Sequence, residues 1–162
     1  MLRKLLLSAV VLILTVTVLG CVGGQAEIDP EAYMVGDKID VTDNTQFSVM
    51  VLLETTGSDY AKPDRGYIFN TVKFELVNNS DAPIELNESD FKIVYGEDVY
   101  YPISGKLNFV LDKMPETLTI ESGKKYVSKL VWMVPNKPAL KLLVFEPAYA
   151  SEEIKINLNE EK

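Results

Sequence analysis

The residue types that most often do chemistry are scarce in this chain. Its 162 residues include no histidine and one cysteine, Cys21. Without histidine there can be neither a Ser-His-Asp triad nor a Cys-His pair, and the usual Cys/His zinc site lacks its ligands. Carboxylates are plentiful, with Asp+Glu 24 against Lys+Arg 16. A facing pair of them could still perform acid–base work of the glycosidase kind. Most, however, fall in turns or at outward strand positions, where a solvated acidic surface accounts for them. No catalytic residue set and no cofactor follow from the sequence.

Calcium is the metal that suits hard oxygen ligands. Candidates are Asp40, Asp43 and Asn44 in DVTDN, with Asn79, Asp81, Glu97 and Asp98 in two further turns. No twelve-residue calcium loop is present, and Asn and Asp serve turns equally well through local hydrogen bonds. Asn78 and Asn87 each open an Asn-x-Ser sequon and are possible glycan acceptors outside the cytoplasm. The polar stretch TTGSDYAKPDRGY carries Tyr60, Lys62, Asp64 and Arg65, and YGEDVYY carries Tyr100 and Tyr101. Loops on a rigid scaffold are where recognition concentrates, so these six residues are candidate recognition positions.

Cys21 has three possible roles: core thiol, reactive thiol or attachment point. It precedes every predicted strand, which argues against the core. No histidine is available to activate it, which argues against catalysis. Attachment remains. Arg3 and Lys4 open a basic region, and Leu5 to Leu19 is an uninterrupted uncharged run. At about fifteen residues this run is shorter than the roughly twenty that span a bilayer as a helix, so it has the form of an export signal. Val18-Leu19-Gly20-Cys21 resembles the lipobox of lipoprotein signal peptides, which implies cleavage before Cys21 and a lipid on its thiol. The alternative is an uncleaved anchor with an incidental cysteine. Both readings place the remaining chain outside the cytoplasm. Cleavage would remove Arg3 and Lys4 and move the net charge from −8 to −10. So acidic a chain does not suit nucleic acid or an anionic membrane held by charge alone.

The elements that must position these groups are short strands. Phe47, Val49, Val51 and Leu53 alternate with other residues and predict one buried face. Val72, Phe74 and Leu76 do the same against Lys73 and Glu75, as do Ile154, Ile156 and Leu158 against Lys155 and Asn157. Leu130, Trp132 and Val134 share a face, which makes Trp132 a core residue with its indole N–H satisfied. A Gly96 hairpin and a Ser122-Gly123 turn are expected, and no segment carries a helical period. Eight to ten such strands imply an all-β antiparallel sandwich of immunoglobulin-like form. The divisions are a signal peptide over 1–20, an attachment cysteine and flexible tether over 21–33, and the sandwich domain over 34–162.

YIFNTVKFELVNNSDAPIELNESDFKIVYGEDVYYP, followed by LTIESGKKYVSKLVWMVP, resembles a family of secreted, often lipid-anchored domains of unknown function with a telokin-like immunoglobulin fold. The likeness runs from about Gln46 to Leu158. It implies the fold and the location, and it brings no catalytic residues. The sequence thus points to a lipid-anchored, extracytoplasmic, non-catalytic binding module. It would be held to the membrane through Cys21 and offer loops or a sheet edge to a protein partner. A structural or accessory subunit of an envelope complex is the competing expectation, with a carboxylate hydrolase behind both.

Overall fold

The computed structural model describes residues 31–59, 61–104 and 110–159. The expected signal peptide, Cys21, most of the tether and Tyr60 lie outside the described residues. Among the described residues there are eleven strands. They are β1 (Tyr33–Met34), β2 (Ile39–Thr42), β3 (Thr45–Thr55), β4 (Tyr67–Asn78), β5 (Ile84–Asn87) and β6 (Phe91–Tyr95), then β7 (Asp98–Tyr100), β8 (Thr117–Ile120), β9 (Lys124–Pro135), β10 (Lys141–Phe145) and β11 (Ile154–Asn157). One 3-10 turn, Glu88–Asp90, precedes β6.

The strands form a sandwich. One sheet has the order β1-β11-β10-β6-β7 and the other β2-β3-β4-β9, while β5 and β8 make a two-stranded ribbon. Every pairing is antiparallel except that of β1 on β11. The all-β sandwich expected from the alternating runs is what the chain forms. Gly96 sits at φ 65 in the β6–β7 turn, a backbone state that costs glycine little.

The two sheets are joined by four phenylalanines. Phe47 and Phe74 come from the second sheet, Phe91 and Phe145 from the first, and all four are fully buried. Phe91 stacks on Phe145 at 4.5 Å between ring centroids, and Phe47 meets Phe145 at 4.6 Å. Burying each such ring contributes roughly 1.5–3 kcal/mol, so this cluster fixes how the sheets face each other.

Two expectations from strict alternation fail. A bulge lies between Val49 and Val51. It inserts one residue, and each later side chain in β3 therefore changes face. Phe47 and Val49 are buried as predicted, but Val51 and Leu53 are 50% and 58% exposed. Asn157, predicted outward, is buried, because its Oδ1 accepts from the Asn159 backbone N–H at 2.9 Å and closes the end of β11.

Candidate recognition edge and groove

Strands at the margin of a sheet expose unpaired backbone groups that can template another chain. In the second sheet the middle of β9 is covered. The Ile103 N–H donates to the Val131 carbonyl at 2.7 Å, the Met114 N–H to the Lys129 carbonyl at 2.9 Å, and the Lys129 N–H to the Asp112 carbonyl at 3.1 Å. Lys113 is pinned there by an ion pair with Glu88, both side chains only 5% exposed. On the other margin, β2 pairs with β3 only between Thr45 and Phe47. The Val49 carbonyl then accepts from the Gly36 N–H at 2.8 Å. From Met50 to Thr55 no described strand lies against β3 on that side.

This open stretch forms one lip of a groove of about 890 Å³. Leu52, Leu53 and Glu54 face Met34, Pro138, Ala139, Lys141 and Leu158 across it. The walls are mainly apolar, and the polar feature is an ion pair between Glu54 of β3 and Lys141 of β10, which ties the two sheets together. The Lys141 ammonium also lies 5.7 Å from the centre of the Tyr95 ring, an arrangement favoured by the ring's negative face. The Tyr95 hydroxyl donates to the Lys137 carbonyl, anchoring the loop that carries Pro138 and Ala139.

On the outer face of the same lip lies a smaller depression of about 370 Å³, lined by Val51, Leu53, Thr71, Lys73, Leu111 and Lys129 among others. Leu111 is 77% exposed. Lys73 and Lys129 stand directly opposite each other in the β4–β9 register. Like charges so placed repel. Lys129 Nζ donates to the Leu111 carbonyl at 3.1 Å, and neither lysine meets a carboxylate among the described residues.

The predicted site residues distribute as follows. Lys62, Asp64 and Arg65 are exposed on the loop that leaves β3 just after Glu54 and Thr55. That loop is tied down: the Ser58 N–H donates to the Ala61 carbonyl at 2.7 Å, the Tyr67 N–H to the Asp64 carbonyl at 2.9 Å, and the Asn136 N–H to the Gly66 carbonyl at 2.8 Å. Gly57, at φ 99, has the Ala61 carbonyl where a Cβ would go. Tyr100 packs edge-on against Tyr95 at 6.3 Å, and so joins the Lys141 cluster, while Tyr101 is exposed. Tyr60 lies outside the described residues.

Asp40 accepts from Gln46 Nε2 at 2.9 Å, and Asp43 and Asn44 form the exposed β2–β3 turn. Among the described residues no group of three His, Cys, Asp or Glu side chains converges as a metal site would require. Asn78 is fully buried, and its Nδ2 donates to the Ala82 and Ile120 carbonyls at 2.9 Å each. That amide builds the turn and is not presented at the surface. Asn87 is half-buried and accepts from Thr117 Oγ1 at 2.9 Å.

Burial pushes the Asp90 carboxyl above its ordinary value, opposed by the bond it accepts from the Asn87 N–H. It serves as the cap of the 3-10 turn and does not line the groove, whose one lining carboxylate is Glu54. Trp132 is in the core as expected, but its Nε1 has no hydrogen-bond partner among the described residues, and neither has either amide atom of its register neighbour Asn70. Alternation alone did not single out Glu54, Lys141, Lys73 or Lys129. The groove pairs Glu54 with a lysine 87 positions away, and the lysine pair depends on the β4–β9 register.

The chain belongs to the family described as a domain of unknown function, DUF4352, whose model matches residues 33–156. Among solved structures it is similar to ycdA of Bacillus subtilis, described as a putative lipoprotein, with 18% identity and a TM-score of 0.59. The match covers 73% of this chain and 37% of that one, so this chain spans little more than a third of the Bacillus protein. It is also similar to an uncharacterised β-sandwich protein of Clostridium difficile (12% identity, TM-score 0.52, covering 84% of this chain and 100% of that one). A third is the secreted protein MPT63 of Mycobacterium tuberculosis (12% identity, TM-score 0.53, covering 83% and 100%). These likenesses show the β-sandwich. No curated protein matches the sequence.

Proposed function

We propose that this family member is an extracytoplasmic, lipid-anchored binding module without catalytic chemistry, tethered through Cys21 and holding a protein partner at the open β3 edge. The observation that carries this reading is the pairing of an unfilled sheet edge, Met50–Thr55, with an apolar groove beside it. Apolar walls with few polar groups are the common form of a binding site. A single carboxylate already neutralised by a lysine is a poor start for acid–base catalysis. The leader and lipobox-like segment support export and anchoring, as do the descriptions of ycdA and MPT63.

Two measurements test the reading. Membrane fractionation with intact-mass analysis should find residues 1–20 absent and a lipid mass on Cys21. A Cys21→Ser protein that stays equally membrane-bound contradicts anchoring. A photo-crosslinking side chain placed at Leu53 should trap a defined protein in the envelope, and one at exposed Glu121 should not. Equal trapping at both positions contradicts the proposed edge. The accessory-subunit reading is favoured by exposed Val51, Leu53 and Leu111 on the outer face. It requires the trapped species to co-purify as a stable complex of fixed stoichiometry.

A further inference from the structure

Resting on that reading, we propose that the open β3 edge takes an extended peptide segment in which apolar residues alternate with acidic ones. The segment adds to the sheet as a further strand beside Met50–Thr55. Edge addition of this kind draws affinity from backbone hydrogen bonds and specificity from alternate side chains.

The chemistry of the occupant follows from the two sides of the lip. Side chains of the added strand that point inward lie beside Leu52 and enter the apolar groove against Met34, Ala139 and Leu158. Glu54 and Lys141 already satisfy each other, so an inward charge would be desolvated without a partner. Outward side chains lie beside Val51 and Leu53, in the row that continues to Lys73 and then Lys129. Those two lysines repel each other and have no carboxylate partner among the described residues. Lysine stems reach several ångströms along apolar surface while keeping their heads in water. Acidic side chains on the outward positions would relieve this local excess of positive charge in an otherwise acidic chain of net charge −8. The edge itself carries no Lys or Pro between Met50 and Thr55, the residues by which natural edges are usually blunted. A second copy of the chain fits less well. It would bring another net-negative body to the edge, and its own β3 offers Glu54 alone as an acidic residue in this stretch.

The test uses the full chain in detergent and three fluorescent nonapeptides. One alternates valine with glutamate and one alternates valine with lysine. The third is the glutamate peptide with alternate backbone amides N-methylated. Anisotropy should show the glutamate peptide binding, with the lysine and N-methylated peptides weaker by about tenfold or more. Lys73→Glu combined with Lys129→Glu should reverse the preference towards the lysine peptide, a gain that misfolding cannot mimic. The proposal is overturned if the glutamate peptide does not bind, if N-methylation has no effect, or if charge reversal leaves the preference unchanged. It is also overturned if sedimentation shows a dimer of this chain that Val51→Lys dissociates, since the edge would then hold a second copy. Failure of the peptides with continued crosslinking from Leu53 would remove this occupant and leave the binding-module reading standing.

Discussion

At the β9 margin of the second sheet the chain folds back on itself, and at the β3 margin it does not. The β9 backbone is met by Ile103, Asp112 and Met114 and locked by the buried Glu88–Lys113 pair. The outer half of β3 has a bulge, and from Met50 to Thr55 no described strand lies on the side away from β4. Both margins belong to one sheet and share β4 as a neighbour, so overall stability cannot explain the difference. A protein that needed only to protect its edges could have extended β2 by a few residues. The covered margin is built for the fold. The open one is placed where a groove and a lysine pair without a carboxylate partner among the described residues lie on either side of it.

Substitutions should separate the two margins. The largest effect is expected at the covered one. Lys113→Met leaves the Glu88 carboxylate buried without its partner and should cost about 3–5 kcal/mol, measured by urea unfolding. A loss no greater than that of a surface change would mean that the pair does not hold the margin shut. Ile103→Pro removes the N–H that reaches the Val131 carbonyl and should cost about 1–2 kcal/mol in the same assay.

At the open margin Val51→Glu should change stability by no more than about 0.5 kcal/mol while weakening binding of the glutamate peptide, because it sets a carboxylate beside the peptide's acidic positions. If it unfolds the domain instead, Val51 is packed and the edge is not free. The smallest effect belongs to Lys92 and Glu146, at the Phe91–Phe145 end of the first sheet. The Lys92 ammonium donates to Glu146 at 2.6 Å, which holds the Glu146 carboxyl below its ordinary value and Lys92 above its own. The depressed acid adds stability that is present above its unfolded value and lost as pH falls through the folded one. The raised base adds stability that is lost only as pH rises through its folded value. Both groups are solvated, so the contribution is slight. Lys92→Met should flatten the acid limb of the melting temperature against pH by a barely measurable amount, and leave both margins unchanged.

Much of the sandwich was legible in the sequence because its strands are half-buried and alternate cleanly. The Val72-Phe74-Leu76 and Leu130-Trp132-Val134 runs face the core as their spacing predicts. The open β3 edge was not legible, for a local reason. The bulge after Val49 changes the parity of β3, and Val51 and Leu53 then look outward although their spacing from Phe47 predicts burial. Bulges have no fixed sequence signal. The Lys73–Lys129 and Glu54–Lys141 relations arise from register and from sheet packing, so no local window contains them. Lys62, Asp64 and Arg65, which the sequence offered as recognition positions, lie on the loop that follows directly from the strand carrying Glu54.

The difference between the margins is most directly tested by residue-resolved hydrogen exchange on the unliganded full chain. The amides of Lys129 and Met114 should be protected to near the global limit, whereas alternate amides within Met50–Thr55 should exchange at least about a hundredfold faster, as unpaired edge N–H groups do. The glutamate peptide should then slow those same amides. Uniform protection along Met50–Thr55 in the free protein would contradict the account, because it would mean that the β3 edge is already covered.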